Sequence, residues 1–563
     1  MLKANPRFPK AHACEDKRAS TSRTWNQAVL FPPAGQLIAQ AWRPGSWNPG
    51  IFNVMRSEPE VLIVGAGPAG LVLALFLSRL GVGLRIIDKV IEPGTTSRAL
   101  VVHARTLEFY RQLGIADSVI DAAQKFLAVN VWVNGRVRGR LNFGDIGGSL
   151  SKFPYSLIFP QDEHEKLLIA ALQRQGIPIE RGVELIDVVE RDGFVATTLR
   201  HTDGTQKTSE SLYVAGCDGA HSTVRDKLNI ALSGGTYSHL WYVADVEAIG
   251  PLANHEVNIS MQERDVLAVF PMKGAGSVRL VGQAPATEGG AAVSWNSVNA
   301  RLLPQLRTEV RKVNWLSTYR VHHRVATRFR KGRVFLLGDA AHLHSPVGGQ
   351  GMNTGIGDAV NLAWKLHSRL RDRSADNIID SYEPERMAFA RRLVSTTDAV
   401  FTILNSKGPF ARFFRTVLVP TVAPVILRLE AGRRFAFRTL SQISINYRQS
   451  SLSEGRAGAV HGGDRLPWVS SKGDPNGFDD NHAPFDSMDW QLHVYGEPSA
   501  SVRSLCKTRG LALHAFRWRA EMKRTSLTQN ALYLVRPDEH IAFVSSGQDA
   551  DALERYLLRC PYK

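Results

Sequence analysis

The sequence predicts an α/β fold, and the region from Val61 to Asp88 carries the first observations behind that reading. Val61–Val64 is a short apolar run of the buried parallel-strand kind. Gly65-Ala-Gly67-Pro-Ala69-Gly70 follows it, and an apolar helix then runs to about Leu80. After a turn at Gly81-Val-Gly83, Leu84–Ile87 reads as a second strand closed by Asp88. A strand, a glycine loop, a helix and a second strand ending in an acid form a Rossmann-like dinucleotide-binding unit. Gly65 permits the tight turn and Gly67 lets the backbone approach a pyrophosphate, which the helix N-terminus would attract. Gly70 and Ala74 present a small face to the sheet, and Asp88 is placed to accept from a ribose. This unit alone does not separate FAD from NAD.

A second stretch makes that separation. Gly332-Arg-Val-Phe-Leu-Leu-Gly338-Asp339-Ala-Ala-His342 continues as Leu343-His-Ser-Pro346-Val-Gly348-Gly349-Gln-Gly351-Met352-Asn353-Thr-Gly-Ile-Gly-Asp358. Val334–Leu337 reads as a strand whose terminal Asp339 can bind a polyol hydroxyl. The glycine run brings bare backbone against a flat ligand. A helix is expected from near Asn353, with Ile356, Ala359, Val360, Ala363, Leu366 and Leu370 on one buried stripe. Its N-terminus would stabilise negative charge on a reduced flavin. Between the two lies another motif, Ala215-Gly-Cys-Asp218-Gly219-Ala-His-Ser222-Thr-Val-Arg225, which makes the Gly332–Asp358 stretch the third in chain order.

With these motifs in order, the chain resembles the group A flavoprotein aromatic hydroxylases, the family of phenol and p-hydroxybenzoate hydroxylases. The resemblance runs from about Val61 to Leu393. It implies FAD as cofactor, with Arg98, Arg105 and Gln161 joining the glycine loops as contacts. The expected cofactor-binding set is Gly65, Gly67, Ala69, Gly70, Asp88, Lys89, Arg98, Arg105, Gln161, Asp218, Gly338, Asp339, Pro346, Gly349, Gly351, Met352 and Asn353. It also implies that NADH or NADPH reduces the flavin, which captures O2 as a hydroperoxide that attacks a small aromatic substrate, phenolic or polyketide-like. Epoxidation, Baeyer–Villiger oxygenation and antibiotic inactivation are same-fold alternatives, as is a dehydrogenase or reductase that never activates oxygen.

No catalytic side chain is assigned. Leu100 stands where phenol hydroxylase carries an aspartate, and His103 can either face the substrate or pack. Phe270, Trp295 and Tyr319 are candidates for pocket lining or for core. His342-Leu-His344 has no third ligand nearby in sequence, so the pair is read as packing behind the flavin and no metal is expected.

The 563 residues are 44% hydrophobic and 21% charged, with a formal charge of +17. Much of the basic excess lies in Arg301–Arg333 and Arg412–Arg456, neither of which carries a nucleic-acid-binding motif. A basic surface that attracts anionic small molecules is expected, and nucleic acid is not. Val61–Ser78 is uncharged but belongs to the glycine motif, and Thr416–Leu427 is short and broken by Pro420 and Pro424. No stable membrane span is expected. Cys14, Cys217, Cys506 and Cys560 stand far apart, which points to reduced thiols and a cytoplasmic location.

The expected organisation starts with residues 1–54 as a disordered leader or an extension upstream of a true start at Met55, with a transit peptide as the competing idea. An FAD-binding domain takes 55–235 and 325–400, with a substrate-domain segment near 130–160, and interleaves with a mixed-sheet substrate domain over 236–324. A helical region and linker over 401–458 lead to a thioredoxin-like domain over 459–563 that lacks CxxC. That last domain would serve structure or form a homodimer. Tyr533–Asp538 resembles its final hairpin, although Glu539 replaces the usual glycine of the turn.

Overall fold

Four consecutive apolar residues, Val61–Val64, need cover on both faces, and they form an inner strand of a six-stranded sheet. Its order is Arg330–Lys331, Val334–Leu336, Tyr213–Gly216, Val61–Val64, Leu84–Asp88 and Ile179–Arg181. Every pairing is parallel except that of Arg330–Lys331 with Val334–Leu336. The computed structural model describes residues 58–560 except 95–98, 145, 262–265, 285–292, 304–305, 372–375, 407 and 474–475. The expected leader and Arg98 therefore lie outside the described residues.

The Pro68–Arg79 helix buries Gly70 to Leu77 against this sheet, and Gln350–Arg371 packs beside it. The second of these starts three residues before the expected Asn353, because only Gly348 and Gly349 of the glycine run take positive φ. An antiparallel sheet of Glu184–Glu190, Val195–Arg200 and Gln206–Ser211 leads into Tyr213–Gly216.

A larger, mixed sheet has eight strands, with Leu232–Ile249 and Glu309–Ala326 at 18 residues each the longest. Ala128–Val133 and Arg136–Asn142 complete its far edge through a parallel pairing with Val257–Met261. Alternation divides its faces. Tyr242, Ala244 and Val246 pack with Val298, Leu303 and Leu306 on one side. Trp241, Val243 and Asp245 point the other way, and Trp241 packs against Val321 and Phe401.

The C-terminal sheet also has six strands and begins at Glu454–Ala457. Gln491–Tyr495 runs parallel to Ala512–Phe516 across the Ala500–Arg509 helix, and Leu532–Val535 with Ile541–Ser545 forms an antiparallel hairpin. Glu539 takes the left-handed turn position itself, at φ 60°. A side chain is tolerated there because its carboxylate accepts from Gln112 at 3.0 Å and pairs with Arg105 in a fully buried cluster. Trp364 and Ile378 enter this sheet's core, with Trp364 edge-on to Trp490 at 5.6 Å.

Candidate active site

The three glycine motifs meet at the carboxyl edge of the six-stranded sheet, the position where open α/β sheets take ligands. The register sets this, because Val64 lies opposite Gly216 and Ile87, and Gly216 lies opposite Leu336. Gly65, Cys217-Asp218 and Gly338-Asp339 therefore leave the sheet side by side. A Cβ on Gly65, whose φ is 106°, would sit 2.4 Å from the Cys217 carbonyl oxygen. One on Gly70 would fall 2.0 Å from the Gly65 oxygen. A Cβ on Gly338 (φ 57°) would lie 3.3 Å from the Ala69 methyl, and one on Gly355 would lie 3.0 Å from the Gly338 Cα. First and third motifs thus touch through residues that can only be small.

The other side of this junction is open. A Cβ on Gly67 would meet nothing within 4 Å. Asp339 is exposed at the end of a buried strand, and one buried Asp218 carboxylate oxygen has no hydrogen-bond partner. Burial raises the Asp218 pKa, although its other oxygen accepts from the Val224 N–H at 3.0 Å. Open backbone and two acids at strand ends suit a dinucleotide, so the residues present fit FAD. Asp88 accepts from the Ala66 and Val90 N–H groups at 2.7 and 2.8 Å, and Lys89 beside it is exposed. Gln161 heads the Gln161–Arg174 helix and donates to Glu165 at 2.7 Å.

Pro346, Gly349 and Gly351 surround the start of the Gln350–Arg371 helix, and Met352 packs partly buried on the main core. Asn353 is committed within the protein. It donates to the Val101 and Gly349 carbonyls at 2.8 Å and accepts from the His103 N–H at 2.9 Å and Thr106 at 2.7 Å. Arg105 likewise turns its buried guanidinium to Glu108, Glu539 and the Asp538 carbonyl. Both side chains are thus held by protein partners.

His103 packs beneath the third glycine loop. Its Nε2 donates to the Gly348 carbonyl at 2.9 Å and its Nδ1 accepts from Ser156 at 3.1 Å, an arrangement that suits the neutral ring. Burial pushes its pKa down to about 4. His342 and His344 stack at 6.3 Å between centroids. His342 bonds Asp358 at 2.7 Å, and Asp358 also accepts from the Gly338 N–H at 3.0 Å and Arg386 at 2.6 Å. Among the described residues no group of three His, Cys, Asp or Glu side chains is placed to hold a metal.

Buried neutral histidines give the fold a pH limit. Burial lowers His103 and His344 to about 4 and His164 to about 3. The unfolded chain takes up these protons near pH 6.5 and the folded one does not, so stability is full above that value and falls as the pH drops. Urea unfolding should lose about 2 kcal/mol per histidine between about pH 7 and about pH 5. An unchanged midpoint across that interval would refute the neutral assignments.

The aromatic candidates scatter. Phe270 packs with the Leu100 cluster, Trp295 with the Tyr242 face, and Tyr319 with Trp241 and Phe401. Only Tyr319 shares a cluster with Val347 of the third glycine loop. Tyr237 and Phe401, which sequence reading missed, complete that group at 4.4 Å between centroids. The Tyr237 hydroxyl donates to Asp398, which lies 3.6 Å from the His323 ring nitrogen. Asp398 also lines a cleft of about 460 Å³ with Ser233, Thr327 and Arg391.

Residues 58–397 match the family model described as FAD binding domain. The chain belongs to this family of FAD-dependent monooxygenases. Within the family it is 35% identical to 6-methylpretetramide 4-monooxygenase of Streptomyces rimosus, over 72% of this chain and 73% of that one. It is 30% identical to pentachlorophenol 4-monooxygenase of Sphingobium chlorophenolicum, over 73% and 76%. Among solved structures, the OxyS anhydrotetracycline hydroxylase from Streptomyces rimosus matches with a TM-score of 0.71 at 26% identity, covering 89% of this chain and 99% of that one.

Proposed function

We propose that this monooxygenase hydroxylates an aromatic substrate, phenolic or polyketide-like, with FAD, O2 and either NADH or NADPH. The observation that carries the reading is the packing of Tyr237, Trp241, Tyr319 and Phe401 with Val347 of the third glycine loop. It sets a packed aromatic cluster beside the loop expected to hold the flavin. By their names the relatives described above act on 6-methylpretetramide and on pentachlorophenol, which supports that class.

When bound, FAD supplies the redox chemistry and the activation of oxygen. The chain supplies position. Gly65, Gly67, Ala69, Gly70, Asp88 and Lys89 would hold the adenosine diphosphate end. Gln161, Asp218, Gly338 and Asp339 would hold the polyol. Pro346, Gly349, Gly351 and Met352 would border the ring, with the Gln350 helix start directed toward its negative end. Arg105 and Asn353 would act as braces through their protein partners. Burial and the Asp398 carboxylate raise the Tyr237 pKa, so its hydroxyl stays protonated. The aromatic cluster would keep water from the reacting centre.

The C-terminal sheet, with its parallel crossover and final hairpin, is read as a thioredoxin-like domain. It would serve structure or a homodimer, since its cysteines Cys506 and Cys560 are apart, free and buried. The domain limits expected from the sequence stand as part of this reading, as does a cytoplasmic location.

The test is the visible spectrum of the purified protein, followed by NADPH and NADH oxidation with a panel of phenols and oxygen uptake. Flavin bands and phenol-stimulated oxidation with O2 consumption are expected. A protein that cannot take up FAD would overturn the cofactor assignment. Substrate turnover without oxygen uptake would overturn the hydroxylase reading in favour of a dehydrogenase.

A further inference from the structure

The helical segment after the FAD-binding region buries one side and leaves a large apolar side uncovered. Pro409–Phe413, Phe414–Leu418 and Val419–Arg428 run on as 20 helical residues, and Glu430–Leu440 follows. This corrects the reading of Thr416–Leu427 as short and broken: Pro420 follows the π-helical turn Phe414–Leu418, and Pro424 is accommodated inside Val419–Arg428. The inner side is pinned. A Cβ on Gly139 would lie 2.7 Å from the Pro420 carbonyl, and one on Gly147 would lie 2.4 Å from the Phe437 ring. Buried Arg415 donates to the Ser406 carbonyl at 2.7 Å.

The outer side carries Phe410 and Phe435, each 74% exposed, and Leu429 at 61%, with Phe413, Val425 and Ile426 about half exposed between them. Contiguous apolar surface of this kind marks an interaction site. Its charge is one-sided. Apart from the buried Arg415, residues 408–440 hold five arginines and one acid, Glu430. Arg412, Arg428 and Arg438 are exposed. By length and composition the first 20 residues could cross a membrane, with only 17% of the apolar window buried. A crossing is incompatible with the packing of Pro420 and Arg415 onto the protein, whereas lying in an interface uses both the aromatic side and the arginines.

We propose that residues 409–438 form an interfacial docking face that seats this enzyme on an anionic lipid surface. Phenylalanine and aliphatic side chains enter the headgroup boundary, and the arginines neutralise lipid phosphates and carboxylates. Such a face would hold the enzyme where an apolar aromatic substrate partitions.

The experiment is co-sedimentation of the full-length, FAD-loaded protein with phosphatidylcholine vesicles, with and without 30 mol% phosphatidylserine. Partition at least about tenfold stronger with phosphatidylserine is expected, falling with salt. Phe410→Ser/Phe435→Ser and, separately, Arg428→Glu should each weaken it several-fold while flavin absorbance and NAD(P)H oxidation in solution stay unchanged. Equal partition to both vesicle types, or none, overturns the proposal. So does a dimer in sizing experiments that dissociates in Phe410→Ser/Phe435→Ser, since a second copy then covers the face. Binding that appears only after removal of residues 1–54 also overturns it, because those residues are then the occupant.

Discussion

Glu385→Gln is expected to lower the free energy of unfolding by about 3–5 kcal/mol, the cost of leaving buried cations without their counter-charge. Glu385 lies on the Tyr382–Asn405 helix and meets two cations from other elements. Lys365, on the Gln350–Arg371 helix, donates to it at 2.7 Å, and Arg536, next to the last hairpin, donates at 2.8 Å. The side chains of all three are no more than 1% exposed. Burial opposes the Glu385 charge, yet Arg536 and Lys365 hold its pKa down to about 2. Burial also draws Lys365 down to about 8, so this cation is already the weak member of the cluster. Glutamine keeps the shape and removes the charge, leaving Asp538 as the carboxylate still bonded to Arg536.

The measurement is urea unfolding, with limited proteolysis across 441–453 to report whether the C-terminal sheet comes away from the helices. Removing a cation as well, in Glu385→Gln/Lys365→Met, should recover part of the loss. A double variant no more stable than the single one would mean that the effect is not electrostatic.

The cofactor end of the fold was legible because its constraints are local. Gly65 and Gly338 need positive φ and an absent side chain, and such needs appear directly as glycine in a short window. Strand, loop and helix then follow within a few residues. Other features depend on partners far along the chain. Phe401 reaches Tyr237 and Trp241 across about 160 residues, and neither position carries a pattern that sets it apart from core. Arg105 looked like a cofactor contact from its surroundings, but its guanidinium is taken by Glu539, more than 430 residues away. That pairing also explains how the final turn keeps its form without glycine. The apolar run near Val417 reads from sequence only as too short and broken to span a membrane, because hydropathy carries no information about which face stays uncovered. Arg98 lies outside the described residues, so its expected contact rests on the resemblance alone.

Asp358→Asn should both destabilise the protein and release FAD, because one carboxylate joins the third glycine loop to the helices behind it. One oxygen accepts from the Gly338 N–H and from His342, and the other accepts from Arg386. Burial opposes the charge, but Arg386 and His342 hold the Asp358 carboxyl below the ordinary aspartate range. Its contribution to stability is therefore present above about pH 4 and lost as the pH falls below it. Asparagine is nearly isosteric, but one end of its amide can only donate. Whichever way it turns, a donor faces either the Arg386 guanidinium or the Gly338 N–H and His342. The expected loss is about 3–5 kcal/mol for buried, unbalanced Arg386. Gly338 would lose its anchor at φ 57°, and Asp339 its placement at the strand end. The FAD dissociation constant should rise at least about tenfold, or about 1.4 kcal/mol. Flavin fluorescence titration reads the second effect independently of unfolding. Charge and position separate in Arg386→Met, which keeps Asp358 bonded to Gly338 and His342 while removing the guanidinium. That variant should lose stability and retain flavin more nearly than Asp358→Asn. Equal flavin loss in the two would show that the carboxylate acts through Arg386 and not through its bond to the Gly338 loop.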